Sequence, residues 1–397
     1  MTSKWKIMKL GDVINLKRGY DLPNSKREIG VIPIMSSSGN NGYHNEAKVI
    51  GPGVITGRSG QLGKVFYVED NYWPLNTTLY VEDFKDNHPK YVYYLLQTLN
   101  FEKFNAGSSV PTLNRNHVHQ VEVKIPNYKE QKSISNILYT LDKKIQLNEK
   151  MRNKLEQLSQ TFFKHWFIDF EFPNEEGQPY KSSGGKMVES ELGHIPNTFS
   201  IEKANNKFNI NIGKTPSRKD MEMFSIKKGV IWASIADLKN QTPFILNSKE
   251  YLAPESIKKY NIKIAPKQTV LLSFKLTVGR VAITTHEMAT NEAIAHFTQT
   301  KDSPNPEYTY LYLKNFNYES LGNTSSIAKA VNSKIIKNMV FLIPDNKTLE
   351  RFNEIIKPLF KQMENLQIEN IQLQQLRDTL LPKLLSGEIE LPDELEV

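Results

Sequence analysis

Between Pro126 and Pro173 the chain contains no proline or glycine, and its apolar side chains recur every seven residues. Ile134, Leu141, Leu155 and Phe162 keep that spacing with Asn148 in the middle place, and Ile137, Met151 and Leu158 stand three residues on. The pattern predicts one long helix with an apolar seam. As a single helix over residues 129–169 it would reach roughly 60 Å at 1.5 Å per residue. Near the C-terminus Phe352, Leu359, Leu366, Leu373 and Leu380 repeat the spacing, with Ile355 and Leu376 in companion positions. Here Pro358 is expected to kink the helix or delay its regular start, and Pro382 lies near its end. Two seams in the same phase point to an intramolecular antiparallel coiled coil, in which Asn148 fixes register and orientation at some cost in stability. The other arrangement open to them is two independent amphipathic helices, each packed on its own domain.

Outside these helices the period shortens. Apolar β-type runs cover 31–35, 53–56, 64–68, 77–81 and 118–125, separated by polar loops at 36–43 and 56–64, with a short helix at 90–99. The same order returns as runs at 229–234, 269–274, 280–284 and 293–298, with a helix near 308–313. Short phrases return with it. Gly63-Lys64-Val65 is echoed by Gly279-Arg280-Val281, and Asn76-Thr77-Thr78 by Asn291-Glu292-Ala293. Ser108-Ser109-Val110 is echoed by Ser325-Ser326-Ile327, and Ile125-Pro126 by Ile343-Pro344. The chain is therefore a tandem duplication: domain, long helix, domain, long helix. The predicted fold class is α+β, with curved β-sheets in two tandem domains that alternate with the coiled-coil helices. The expected boundaries are 1–126 and 193–344 for the domains, 127–172 and 345–390 for the helices, and 173–192 for a linker rich in Gly, Ser and Pro. The aromatic cluster Phe162, Phe163, Trp166, Phe167 and Phe170 is expected to pack under a neighbouring domain, or else to form a docking patch.

At 397 residues with no cysteine and no long apolar run, disulfides, cysteine-held zinc and a membrane-spanning helix are not expected. The opening residues lack the apolar stretch of a secretory leader, and a soluble, cytoplasmic protein is the expectation. The net charge of +8 is unevenly spread. Residues 1–125 hold 15 basic against 11 acidic side chains, and residues 199–343 hold 20 against 11. The helical remainder holds 16 against 21. A polyanion would thus be drawn to the globular halves, leaving the helices for protein contacts, unless the chain is merely a basic protein.

A search for chemistry fails. Asn305-Pro306-Glu307-Tyr308 is near the Asn-Pro-Pro-Tyr of adenine-N6 methyltransferases, but its third residue is wrong and no glycine-rich cofactor turn precedes it; it is expected to start a helix. Glu122-Val123-Lys124 has the spacing of a nuclease strand, but the second copy places Val340-Phe341-Leu342 there, which favours a surface strand. His117-Val118-His119 could present two imidazoles on one strand face, but no third ligand is near in sequence and the copy has Ile335-Ile336-Lys337. No phosphate-binding loop of the Walker type occurs. The chain reads as a binder, without catalytic residues, metal or cofactor of its own.

Several phrases in this order resemble the specificity subunits of type I restriction–modification systems. They are Lys9-Leu10-Gly11-Asp12-Val13, Glu130-Gln131-Lys132, Leu141-Asp142-Lys143-Lys144-Ile145, Glu191-Leu192-Gly193 with Ile195-Pro196, Gly213-Lys214-Thr215-Pro216-Ser217-Arg218, and Leu380-Leu381-Pro382-Lys383-Leu384-Leu385-Ser386-Gly387. The second helix departs from the pattern in lacking a Glu-Gln opening, and the Gly-Lys-Thr-Pro-Ser-Arg phrase has no counterpart in the first domain. The resemblance implies that each globular half is a target recognition domain for one half of a split, asymmetric site on double-stranded DNA. It implies helices that set the gap and dock two methyltransferase subunits, which bring S-adenosylmethionine to adenine N6. It further implies two motor–nuclease subunits using ATP and magnesium. A related methylating system without the motor, or a coiled-coil scaffold that binds no DNA, are the alternatives.

Asn and Gln suit adenine, Arg suits guanine, and Ser, Thr and Lys suit phosphates. On that chemistry the candidate DNA contacts in the first domain are Ser37, Ser38, Asn40, Asn41, Tyr43, Arg58, Ser59, Gln61, Lys64 and Asn76. In the second they are Thr215, Ser217, Arg218, Lys219, Ser234, Lys239, Lys275, Arg280 and Asn291. Arg58 and Arg280 lead, either as guanine readers or as phosphate contacts.

Overall fold

The computed structural model describes residues 5–105, 111–225, 228–240, 242–321 and 331–392. The repeated Ser108-Ser109-Val110 and Ser325-Ser326-Ile327 phrases lie outside the described residues. Two compact units result, one from residues 1–146 and 371–397, the other from Leu147–Asn370. No helix among the described residues is long and apolar enough to cross a membrane.

In the first unit, Asn15–Arg18, Thr78–Asp83, Gly53–Gly57 and Val65–Val68 lie side by side, in that order, as an antiparallel sheet. A second sheet orders Gly39–His44, Ile32–Ser36 and Trp73–Pro74. The helix Pro89–Thr98 buries Tyr91, Val92, Tyr94, Leu95 and Leu96. Its core joins Leu10, Leu16, Val54 and Val81 to Ile134 and Leu138 of the first long helix and Leu384 and Leu385 of the second.

The second unit repeats the arrangement. Phe208–Ile212, Ile294–Gln299, Val270–Ser273 and Val281–Thr284 are neighbours in the same order, with Phe244–Ile245 added at the edge. The register is conserved between the copies. Thr56 pairs with Val65 as Leu272 pairs with Val281, and Gly57 pairs with Thr78 as Ser273 pairs with Ile294. The helix Pro306–Asn315 starts as expected, the Asn305 side chain accepting from Tyr308 N at 3.2 Å. Residues 173–192 contain the strand Met187–Ser190, and Phe172 stacks on Tyr180 and Phe199.

The first long helix runs Tyr128–Phe167 and the second Asn346–Ser386. The second begins well before Pro358, so the proline does not delay its start. They pack antiparallel. In the second unit Asn148 Nδ2 donates to Glu369 Oε2 at 2.7 Å, while Phe167 meets Phe352 with ring centroids 4.7 Å apart. In the first unit Arg377 Nη1 donates to Asp142 Oδ1 at 2.7 Å, and Asp142 also accepts from Tyr94 OH at 2.6 Å. Of the expected seam, Ile134, Asn148, Phe352 and Leu366 are buried and Leu141, Leu155, Phe162, Leu359, Leu373 and Leu380 half-buried.

The companion stripe differs from expectation. It lies four residues on, not three: Leu138, Ile145 and Ser159 in the first helix, Ile356, Met363 and Leu384 in the second. Met151 and Leu158, expected in the seam, are 41% and 44% exposed, and Leu376 is exposed as well. With 3.6 residues per turn both spacings fall beside the seam, and each stretch of helix must also cover the core of the unit it belongs to, which selects the second. The aromatic cluster packs under its domain, Phe163, Trp166 and Phe167 sharing a core with Phe199, Tyr308 and Phe352.

Two other expectations change. The polar stretch 36–43 is not a loop but a tight hairpin, Ser37 and Ser38 forming the turn and Gly39–His44 the return strand at a sheet edge. Gly39 and Gly42 carry positive φ values of 111° and 100°, which glycine adopts readily. His117 and His119 do not share a strand face, because they lie on the short helix Arg115–His119, capped by Asn114. The second copy builds the same cap with Asn332. Glu122–Ile125 is the surface strand expected there.

His296 lies fully buried on the strand Ile294–Gln299, its Nε2 2.7 Å from Thr290 Oγ1 and its Nδ1 without a partner among the described residues. Burial lowers its pKa to about 4. The unfolded chain therefore binds the extra proton between about pH 6.5 and about pH 4, so this group's stability is complete above that window and is lost as the pH falls through it. We expect the second unit to lose about 2 kcal/mol between pH 7 and pH 5 through this group. Urea unfolding across that range measures it, and a His296→Gln variant should lose most of the slope.

Candidate nucleic-acid interface

In the first unit the loop 58–64 joins Gly53–Gly57 to Val65–Val68, and its root is held by main-chain bonds. Arg58 N donates to Thr77 O at 2.8 Å, Leu113 N to Arg58 O at 2.7 Å, and Gly60 N to Pro111 O at 3.1 Å. A Cβ on Gly57 would lie 1.8 Å from Gln61 O, so the turn requires glycine. Beyond this root Gln61 and Lys64 are exposed, and Ser59 is half-buried. Lys64 and Gln61 line a cleft of about 500 Å³ with Pro111 and Glu102. Arg58 is half-buried, and its Nη1 donates to Asn76 O at 3.4 Å. The Asn76 side chain itself is bound to the Asp21 carboxylate.

The hairpin carries the other candidates of this unit. Ser38 Oγ bonds Ser36 Oγ at 2.9 Å, and Asn40 Oδ1 accepts from Gly42 N at 2.9 Å. Arg27 donates to the main-chain Asn41 O at 2.9 Å, the Asn41 residue is exposed, and Tyr43 is 57% exposed. Ser37 is half-buried at the turn.

The second unit commits more of its candidates to its own architecture. Arg218 makes a two-pronged ion pair with Glu250 at 2.6 and 2.9 Å and lies over the rings of Phe224 and Trp232. The hydrogen bonds from Arg218 hold the Glu250 carboxyl below its ordinary range. Arg280 Nη1 donates to Ile235 O at 2.8 Å. Ser234 donates through both N and Oγ to Asp237, Thr215 donates to the Glu292 carboxylate, and Asn291 Oδ1 accepts from Ala293 N at 3.2 Å. Ser217 Oγ accepts from Lys219 N at 3.3 Å. Lys219, Lys239 and Lys275 are exposed, the last beside Phe274.

Two basic residues outside the glycine-rich loops join Arg58. Arg18, Arg58 and Arg115 line one recess of about 390 Å³ in the first unit. Arg18 ends a strand and Arg115 opens a helix, so no loop motif marks them; only the fold brings them to Arg58. No group of three His, Asp or Glu side chains among the described residues is placed to hold a metal ion.

Known proteins share this fold and sequence pattern. The structure superposes on the S subunit of a type I restriction–modification system from M. genitalium with a TM-score of 0.61, over 98% of this chain and 97% of that one at 16% identity, a likeness of fold. In sequence the chain is 25% identical over 320 residues to the MjaIX type I restriction enzyme specificity subunit of Methanocaldococcus jannaschii, covering 77% of this chain and 70% of that one. It is 24% identical over 360 residues to the HindI specificity subunit of Haemophilus influenzae, covering 76% and 77%. The family model of the type I restriction modification DNA specificity domain matches twice, over residues 2–157 and 203–375, and the chain belongs to that family.

Proposed function

We propose that each unit reads one half of a bipartite, asymmetric DNA site and that the chain contributes sequence choice without catalysis. The observation that carries this reading is the repeated sheet with conserved register and different side chains around it. One scaffold carries Arg58-Ser59 where the other carries Phe274-Lys275 at the same strand end, with Phe274 turned into the core and Lys275 exposed. Two similar readers with unlike surfaces suit two unlike half-sites. The excess positive charge of both globular segments supports the polyanion as ligand.

The long helices set the gap between half-sites and dock the partners. In the second unit Leu147, Met151 and Leu158 of the first helix and Ile368 of the second stay exposed, and in the first unit Ile371 and Leu376 do. Apolar side chains on otherwise polar helices suit a protein partner. In this reading the partners are two methyltransferase subunits, supplying S-adenosylmethionine for transfer to adenine N6, and two motor–nuclease subunits requiring ATP and magnesium. The assembly works on cytoplasmic DNA. Met151→Glu combined with Leu158→Glu should leave the chain folded, since both side chains already face water, and should abolish co-purification of the methyltransferase subunit. Retained co-purification would place the dock elsewhere.

Binding of the chain with its methyltransferase subunits to DNA, titrated with salt, tests the function itself. Affinity should fall linearly in log–log form, by on the order of a thousandfold between 50 and 200 mM salt for six or more phosphate contacts. Salt-independent binding, or none, would return the chain to a protein scaffold.

A further inference from the structure

The recess shared by Arg18, Arg58 and Arg115 is built from three separate elements. Arg18 closes the strand Asn15–Arg18, Arg58 follows Gly53–Gly57, and Arg115 opens the helix Arg115–His119. Two of the guanidinium groups are held by carbonyl oxygens, which orient them without cancelling their charge. Arg115 Nη1 donates to Leu16 O at 3.2 Å and Arg58 Nη1 to Asn76 O at 3.4 Å. Arg18 alone has a carboxylate nearby, Asp21 at 3.6 Å, and that carboxylate is shared with the Asn76 side chain. Three cations around one recess, with one acid paired to Arg18 among the described residues, leave a net positive site.

The duplicated domain shows that the fold does not need them. Arg18 pairs with Leu79 as Ile212 pairs with Ala295. Arg58 N reaches Thr77 O as Phe274 N reaches Ala293 O, at 2.8 and 2.9 Å. Arg115 follows the cap Asn114 as Ser333 follows the cap Asn332. The same scaffold thus closes with Ile212, Phe274 and Ser333 in place of all three arginines, although the second domain is the more basic one overall.

We propose that this recess is a phosphate seat that grips one backbone phosphate of the DNA at the half-site read by the first unit. The proposal rests on the DNA-reading function above and assigns a role within it. A guanine edge offers two coplanar acceptors to one guanidinium, whereas a phosphate offers oxygens in several directions, which suits cations arriving from three elements. Such a contact fixes register on the duplex and carries no base preference, so Arg58 positions the first unit and its neighbours read the bases.

The test uses the full chain with its methyltransferase subunits, carrying Arg58→Gln and Arg115→Gln together, on DNA containing the methylated site. Loss of two charge-assisted contacts should weaken binding at least about tenfold, equally for the site and for DNA with altered bases in either half. The log–log salt slope should become shallower by about 1. Arg58→Lys with Arg115→Lys keeps the charge and should retain the wild-type slope, which separates the seat from a folding defect. Unchanged affinity and slope would overturn the proposal, and so would relaxed preference at one base with an unchanged slope, which marks a base reader. A wild-type complex with no salt-dependent DNA binding would overturn the DNA-reading function, and the seat with it.

Discussion

Replacing Phe352 by alanine is expected to destabilise the second unit by about 3–5 kcal/mol, the usual cost of truncating a fully buried phenylalanine. The ring is 0% exposed and is enclosed by Phe163, Trp166 and Phe167 of the first long helix and by Tyr308. Those neighbours belong to rigid helices, so the space left behind cannot easily collapse, which puts the change at the upper part of the range. Because Phe352 joins the helix pair to the domain core, the loss should appear both as a lower urea midpoint and as weakened recognition of one half-site. Phe352→Leu keeps most of the volume and should recover most of the stability. A Phe352→Ala variant within 1 kcal/mol of the wild type would contradict the packing described for this end of the helices.

Removing one heptad from each long helix, between Asp142 and Leu155 and in the facing stretch between Leu366 and Arg377, should shorten the gap between half-sites and leave both half-sites intact. Seven residues span about 10 Å of helix, or about three base pairs at 3.4 Å each. A heptad falls short of two full turns by only about 20°, so the exposed and buried faces keep their places. The two deletions must match because the helices are antiparallel, as Asn148 with Glu369 and Phe167 with Phe352 show. A single deletion should instead bring unlike residues together and cost stability. The readout is the methylated motif, and a changed half-site with an unchanged gap would contradict the division of labour.

The alternation of domain and helix was legible in the sequence because a duplication writes every signal twice and a seven-residue repeat is strong over this length. The side of the seam on which the second stripe falls was not. Ile137 and Leu138 both border the seam, and only the unit's core decides that Leu138 is buried. The short helix Arg115–His119 overlaps the start of the run 118–125 that reads as a strand, although Asn114 and Asn332 held the capping signal. The candidate site was legible as chemistry but not as geometry. Ser234 and Arg218 have the right side chains, yet Asp237, three residues on, and Glu250, 32 residues on, already engage them, and no pattern in the sequence marks either carboxylate as a partner. Arg18 and Arg115 lie about 100 residues apart and meet only through the sheet and the helix that follows it.

Long-read sequencing of DNA from cells that make this chain with its methyltransferase subunit, scored for N6-methyladenine, tests the central claim most directly. The account predicts one split motif with two unlike halves, methylated on both strands and absent when the chain is omitted. A complex that forms with the methyltransferase and leaves no such motif, or a motif with a single uninterrupted core, would contradict it.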